Sequence, residues 1–199
     1  MRYHNITKDD MLNGEGLRVV LWVAGCSHGC KNCQNPITWD PNGGLPFDEA
    51  AKAEIFAELE KDYISGITFS GGDPLYMGNR EDVTALAKEI KEAFPDKKTW
   101  LYTGYLWEEV SALPIMPYLD VIVDGRFVEE LKDPQLHWKG SFNQRIIDVQ
   151  KSLKKRHHVP LPRGIKQYRK EEINGFHQNQ ISQRQNRKTA LHRRKIRLD

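Results

Sequence analysis

Three cysteines, Cys26, Cys30 and Cys33, stand within Gly-Cys-Ser-His-Gly-Cys-Lys-Asn-Cys, and the chain has no other. The spacing is C-x3-C-x2-C. Three thiolates on one short loop can bind three irons of a four-iron cluster and leave the fourth without a protein ligand. Full cysteine ligation suits electron transfer. An open iron suits binding and reducing a substrate.

Other readings of these residues stay open at this point. Positions 26, 30 and 33 would also share one face of a helix, but Gly25, Gly29 and Asn35-Pro36 oppose a helix there. Cys26, His28, Cys30 and Cys33 could serve zinc, although structural zinc sites usually join two ligand pairs distant in sequence. An odd thiol count argues against a disulfide framework. His28 can tune a cluster through a hydrogen bond, or be an ordinary loop histidine.

The elements that would position this loop follow from the apolar pattern. Residues 17–24 form an apolar run that reads as a buried strand ending at the first cysteine. Further strands are expected at 64–70, 98–103, 119–123 and 145–149. Helices are expected at 48–63, 80–94 and 106–113. Inward positions are Ala50, Ala53, Phe56, Ala57 and Leu59 in the first helix. In the second they are Val83, Leu86, Ala87, Ile90 and Phe94. Alternating strands and helices predict an α/β fold with a mainly parallel sheet. In such folds the loops at the carboxyl ends of the strands gather the site.

Those loops carry the remaining candidates. Ser70-Gly71-Gly72-Asp73-Pro74 pairs two glycines with a carboxylate. Gly71 and Gly72 let backbone approach a ligand's amino group, with Asp73 to help anchor it; a tight turn with Asp73 as a cap is the plain alternative. Thr103-Gly104-Tyr105 offers a hydroxyl and a ring for a ribose or adenine, or simply a turn. Asp124-Gly125-Arg126 offers a carboxylate and a guanidinium, or again a turn. Asn13-Gly14-Glu15-Gly16 reads as a flexible lip. Trp22, Trp39, Trp100, Trp107 and Trp138 read as core or half-buried aromatics.

Charge divides the chain. Over residues 1–155, 18 Lys and Arg face 24 Asp and Glu; over 156–199, 12 face 3, so a balance of −6 becomes +9. This predicts one domain, 1–155, and a basic tail, 156–199, that is disordered or helical and too poor in apolar residues to fold alone. The tail is a solvated segment or a surface for an anionic partner. Nothing in it has the spacing of an RNA-binding motif or zinc knuckle, so nucleic acid is not expected. No apolar run approaches the roughly 18 residues of a membrane span, and no leader is evident. A cytoplasmic, reduced setting and no membrane partner are expected.

Together these motifs resemble the radical S-adenosylmethionine enzymes, whose signature is C-x3-C-x2-C. More narrowly the chain is similar to the activating proteins of class III (anaerobic) ribonucleoside-triphosphate reductases. The matching stretches are the opening Met1-Arg2-Tyr3-His4-Asn5, Asn13 to Gly16, Gly25 to Asn35, Ser70 to Leu75, Tyr102 to Tyr105, Val123 to Phe127 and Gly140 to Val149. They cover about the first 155 residues; the tail has no counterpart.

The resemblance implies a partial (β/α) barrel with mainly parallel strands. It implies one [4Fe–4S] cluster on Cys26, Cys30 and Cys33, with S-adenosylmethionine chelating the open iron. Asn32, Cys33, Gln34, Gly71, Gly72, Asp73 and Thr103 would bind that cofactor. Many members carry an aromatic residue at the position of Asn32, where it stacks on adenine. The activity implied is reductive cleavage to methionine and a 5′-deoxyadenosyl radical, which abstracts hydrogen from a glycine of the reductase; no side chain acts as an acid or base. A low-potential donor such as flavodoxin would supply the electron. Kindred alternatives are an activase of another glycyl-radical enzyme, such as a formate-lyase, and a plain electron carrier. From another class comes a zinc-stabilised module with a nucleic-acid-docking tail.

Overall fold

The computed structural model describes residues 1–161. Most of the expected basic tail, from residue 162 on, lies outside them.

One sheet of seven strands organises these residues: β1 (Arg2–Asp10), β2 (Leu17–Val23), β3 (Leu45–Pro46), β4 (Ile64–Gly71), β5 (Lys98–Tyr102), β6 (Val121–Asp124) and β7 (Arg145–Asp148). Their order is β3-β1-β2-β4-β5-β6-β7. The central β2, β4, β5 and β6 run parallel, while β1 and β3 on one flank and β7 on the other are antiparallel. The fold is mixed α/β, parallel only in its middle.

The sequence reading missed β1, because its residues are largely polar and only Ile6 is buried. Beyond Arg2 and Tyr3, which pair with β3, it is specified by backbone pairing to β2, which leaves no hydrophobic signature.

Among the described residues three α-helices connect strands, α1 (Glu49–Leu59), α2 (Arg80–Ala93) and α3 (Trp107–Val110), and a fourth, α4 (Val149–Lys155), follows β7. Asp48 caps α1, its carboxylate accepting from the Ala51 N–H at 2.9 Å. α2 buries Val83, Leu86, Ala87 and Ile90 as expected. α1 is rotated from its expected face. It buries Ala51, Ile55, Glu58 and Leu59 and leaves Ala50 and Ala53 exposed. Three of the five residues expected to face inward were alanines, and small side chains barely define a face. Ile55 decides it, since it carries more apolar area than any alanine.

Strand alternation separates the two sheet faces. Val19, Leu21, Val23, Ile67, Phe69, Leu101 and Ile122 point into one core with Ile55, Leu59, Leu86, Ile90 and Trp107 from the helices. Arg18, Trp22, Thr68, Ser70, Trp100 and Tyr102 occupy the alternate positions. The parallel strands end together at Val23, Gly71, Tyr102 and Asp124, so the loops that follow share one edge. After Lys155 the chain turns at Arg156 (φ 58) and returns to β7: the Asp148 N–H donates to the Val159 carbonyl and the Leu161 N–H to that of Ile146. Among the described residues no helix is long and apolar enough to cross a membrane.

Candidate functional site

At this edge lies a cleft of about 620 Å³, within the range of small-molecule sites. Cys26, Cys30 and Cys33 line it, with Gln34, Gly71, Gly72 and Thr103.

The cysteine loop is held by its backbone. The Gly25 N–H donates to the Thr38 carbonyl at 2.8 Å and the Cys26 N–H to that of Trp39 at 3.1 Å. From the next loop, the Asp73 N–H donates to the Gly25 carbonyl at 2.8 Å. Asn79 Nδ2 donates to the Ala24 carbonyl at 2.8 Å. Gly25 takes φ 104, and a Cβ there would stand 2.8 Å from the Tyr76 ring. These contacts explain why the loop needs glycine at its entrance.

All three thiols are half-buried. Burial pushes the Cys26 thiol up to about 11, partly offset by the His28 backbone N–H, and also raises Cys30. Metal loading must therefore displace protons. The Asn35 N–H lies 3.4 Å from Cys33 Sγ, a weak donor contact to the sulfur.

Among the described residues no three His, Cys, Asp or Glu side chains converge on a point suited to a single metal ion. Three thiols spread along one wall of a cleft suit a cluster, whose irons stand apart. His28 Nε2 is bonded to Asp73 Oδ2 at 2.5 Å, which leaves Nδ1 as the one ring nitrogen for any further contact. The donor set fits an iron–sulfur cluster.

The other expected site residues fall into two groups. Gly71 and Gly72 line the cleft and also pack against its frame. A Cβ on Gly71 (φ 104) would lie 2.7 Å from Val23 backbone atoms, and one on Gly72 would lie 2.5 Å from the Gly25 carbonyl oxygen. Thr103 lines the cleft, but its hydroxyl donates to Asp73 at 2.9 Å. Asp73 and Asn32 are not among the lining residues. Asp73 is 1% exposed and accepts from Thr103 Oγ1, from the Gly104 N–H at 3.0 Å and from the Leu75 N–H at 2.8 Å. Asn32 is exposed with φ 54, a left-handed position that asparagine tolerates.

Asp124 and Arg126 do not line the cleft either. Asp124 is fully buried, accepting from the Trp107 N–H at 2.7 Å and from Arg145 Nε at 2.9 Å. It holds α3 and β7 to the end of β6. The lip is tied down: Arg18 donates to the Glu15 carbonyl at 3.0 Å, and Thr68 Oγ1 to that of Asn13 at 2.8 Å.

The far wall, from Phe127 and from Lys132 to Gly140, was not legible in the sequence beyond Trp138 as a partly buried aromatic. Gln144 builds part of it, donating to the Gly125 carbonyl at 3.0 Å and accepting from the Gly140 N–H at 2.8 Å. Lys139 Nζ is spent on the carbonyls of Phe142 and Gln144, and burial lowers its pKa. Gln144 falls in the Gly140 to Val149 stretch that carries the resemblance, whereas a lysine serving backbone carbonyls leaves no motif.

The family described as "4Fe-4S single cluster domain" matches residues 12–147. Among curated proteins, the anaerobic ribonucleoside-triphosphate reductase-activating protein of Enterobacteria phage T4 is 44% identical over 146 residues, 73% of this chain and 93% of the relative. This chain belongs to that family. The proteins of the same name from Salmonella typhimurium (strain LT2) and Escherichia coli (strain K12) are 43% and 42% identical, each over 150 residues, 73% of this chain and 97% of the relative. The matched family region spans β2 through β7 apart from the last residue of β7, and so contains the cysteine loop and every strand end that faces the cleft.

Proposed function

We propose that this protein activates an anaerobic ribonucleoside-triphosphate reductase by placing a glycyl radical on it. The observation that carries this reading is the cleft wall of three thiols, in a chain with no fourth cysteine, within a family whose named members are activating proteins. Cys26, Cys30 and Cys33 would hold a [4Fe–4S] cluster, which would bind S-adenosylmethionine. Bound there, the cluster would supply the one electron for reductive cleavage of S-adenosylmethionine to methionine and a 5′-deoxyadenosyl radical able to take a hydrogen atom from a glycine Cα of the reductase.

The chain's own residues position and exclude. Gly71 and Gly72 bring backbone against the cofactor without side chains in the way. Gln34 and Thr103 flank it, Asn32 stands beside the ligating Cys33 in the chain, and Asp73 fixes the loops around it. Trp22, Phe127 and Trp138 line the cleft and displace water, which suppresses side reactions. The curved half of a (β/α) barrel, a cytoplasmic setting, a flavodoxin-like electron donor and the basic tail as a separate segment belong to the same reading.

The test is anaerobic reconstitution, reduction, and addition of S-adenosylmethionine with the candidate reductase. A glycyl doublet in the electron paramagnetic resonance spectrum, with one methionine released per radical, is the expected result. Cofactor cleavage without a radical on that reductase would redirect the activity to another glycyl-radical enzyme. Absence of cleavage by a fully loaded cluster would overturn it.

A further inference from the structure

We propose that His28 and Asp73 form a clasp that shapes the cysteine loop before any iron arrives. His28 lies between Cys26 and Cys30, and its side chain is 5% exposed against 1% for Asp73. Asp73 already accepts from Thr103 Oγ1 and from the N–H groups of Leu75 and Gly104. A carboxylate accepting these bonds makes Nε2 the protonated nitrogen, so the imidazole donates at 2.5 Å.

Three independent contacts fix the ring. Asp73 holds Nε2. Tyr105 meets the ring edge-on, with centroids 4.7 Å apart and planes at 72°. Gly104 leaves the space the ring occupies: a Cβ there would stand 2.6 Å from His28 Nε2 and 2.8 Å from Cγ. Gly104 does not take a left-handed φ, so space rather than backbone freedom requires glycine. Tyr105 is backed in turn by the Arg80 guanidinium, 5.3 Å from its ring centroid.

The consequence is mechanical. One side chain from within the cysteine loop is seated in a socket built by the ends of β4 and β5. The loop's two outer thiols, Cys26 and Cys33, flank the residues so held. His28, Asp73 and Gly104 are positioning residues: they act on the metal through the cysteines they place. This inference rests on the proposed function only for what the loop is shaped to hold; the clasp itself belongs to the metal-free chain.

The experiment is hydrogen exchange on metal-free full-length protein, followed by anaerobic iron and sulfide reconstitution. His28→Phe keeps a ring but loses the donor. Amides of residues 26–35 should then exchange on the order of tenfold faster or more, with α2 unchanged. Iron bound per chain should fall in parallel. Gly104→Ala, which crowds the ring and its Nε2 while keeping both the imidazole and the carboxylate, should give the same local pattern. His28→Gln, which can carry an N–H to the same carboxylate, should restore protection and iron uptake. Loop exchange in His28→Phe and Gly104→Ala equal to the unaltered protein would overturn the clasp, as would failure of His28→Gln to exceed His28→Phe. Were one variant to unfold globally, α2 exchange would reveal it and the other two would decide. Faster loop exchange in a protein that never cleaves S-adenosylmethionine would leave the clasp standing and remove the proposed activity.

Discussion

Arg18 lies over Trp100, its guanidinium carbon 5.3 Å from the ring centroid, and both are buried on the cleft side of the sheet. Among the described residues the charge has no carboxylate partner in hydrogen-bonding reach. Thr68 Oγ1 and the carbonyls of Glu15, Ile67 and Lys98 take its donors. Burial lowers its pKa to about 10. Arg18→Met removes a costly buried charge but strands several acceptors, and the second effect should win. The expected loss is about 1–3 kcal/mol in urea unfolding, with faster exchange at residues 13–16. Unchanged stability and an unchanged lip would show that Arg18 anchors neither.

Gly72, expected to approach a ligand, is pressed against the cysteine loop. A Cβ would stand 2.5 Å from the Gly25 carbonyl oxygen and 2.8 Å from that of Thr38. Both are backbone atoms of the segment carrying the cysteines. Gly72→Ala should therefore cost about 1–3 kcal/mol, the usual scale of overpacking, and lower iron content as well as S-adenosylmethionine affinity. Iron analysis beside calorimetry separates the two; full iron content with weakened affinity would mean that the cofactor alone needs the glycine.

Each of Cys26→Ala, Cys30→Ala and Cys33→Ala should lose the broad visible absorbance of a reconstituted cluster. The fold should survive, because half-buried thiols that make no packing core contribute little. Urea midpoints of the metal-free variants should correspond to the unaltered protein within about 1 kcal/mol. A variant that keeps a full cluster would remove that cysteine from the ligand set.

Acid stability should report the network at the end of β6. Arg145 holds both Asp124 and the more exposed Glu108, and its hydrogen bond pulls Glu108 from its ordinary 4.5 down to about 2. A depressed folded-state pKa stabilises above the ordinary value and loses that stabilisation as pH falls from about 4.5 towards about 2. Glu108→Gln should flatten the stability curve over that window, modestly and less so at high salt, since the Glu108 side chain is 55% exposed. Asp124→Ala should be worse, about 1–3 kcal/mol, because it leaves the buried Trp107 N–H without its acceptor and takes one carboxylate from Arg145. Urea midpoints measured against pH check both; parallel curves for Glu108→Gln and the unaltered protein would remove the linkage.

Local chemistry was written along the chain. C-x3-C-x2-C, the Gly-Gly-Asp-Pro loop and the apolar runs of β2, β4 and β5 depend on neighbours within a few residues, so they named a cluster loop and a parallel α/β centre directly. The face of α2 was legible because large side chains repeat at helical spacing; that of α1 was not, because alanines define a face weakly. Tertiary structure alone decided the rest. β1 exists through pairing with β2, since its polar residues carry no periodic signal. Asp73 became a buried acceptor for His28, Thr103 and Gly104, and Asp124 a seat for Arg145, because each carboxylate meets partners 17 to 45 positions away. Residue type announces that a carboxylate can accept hydrogen bonds; only the folded chain settles whether a cofactor or a neighbouring loop donates them.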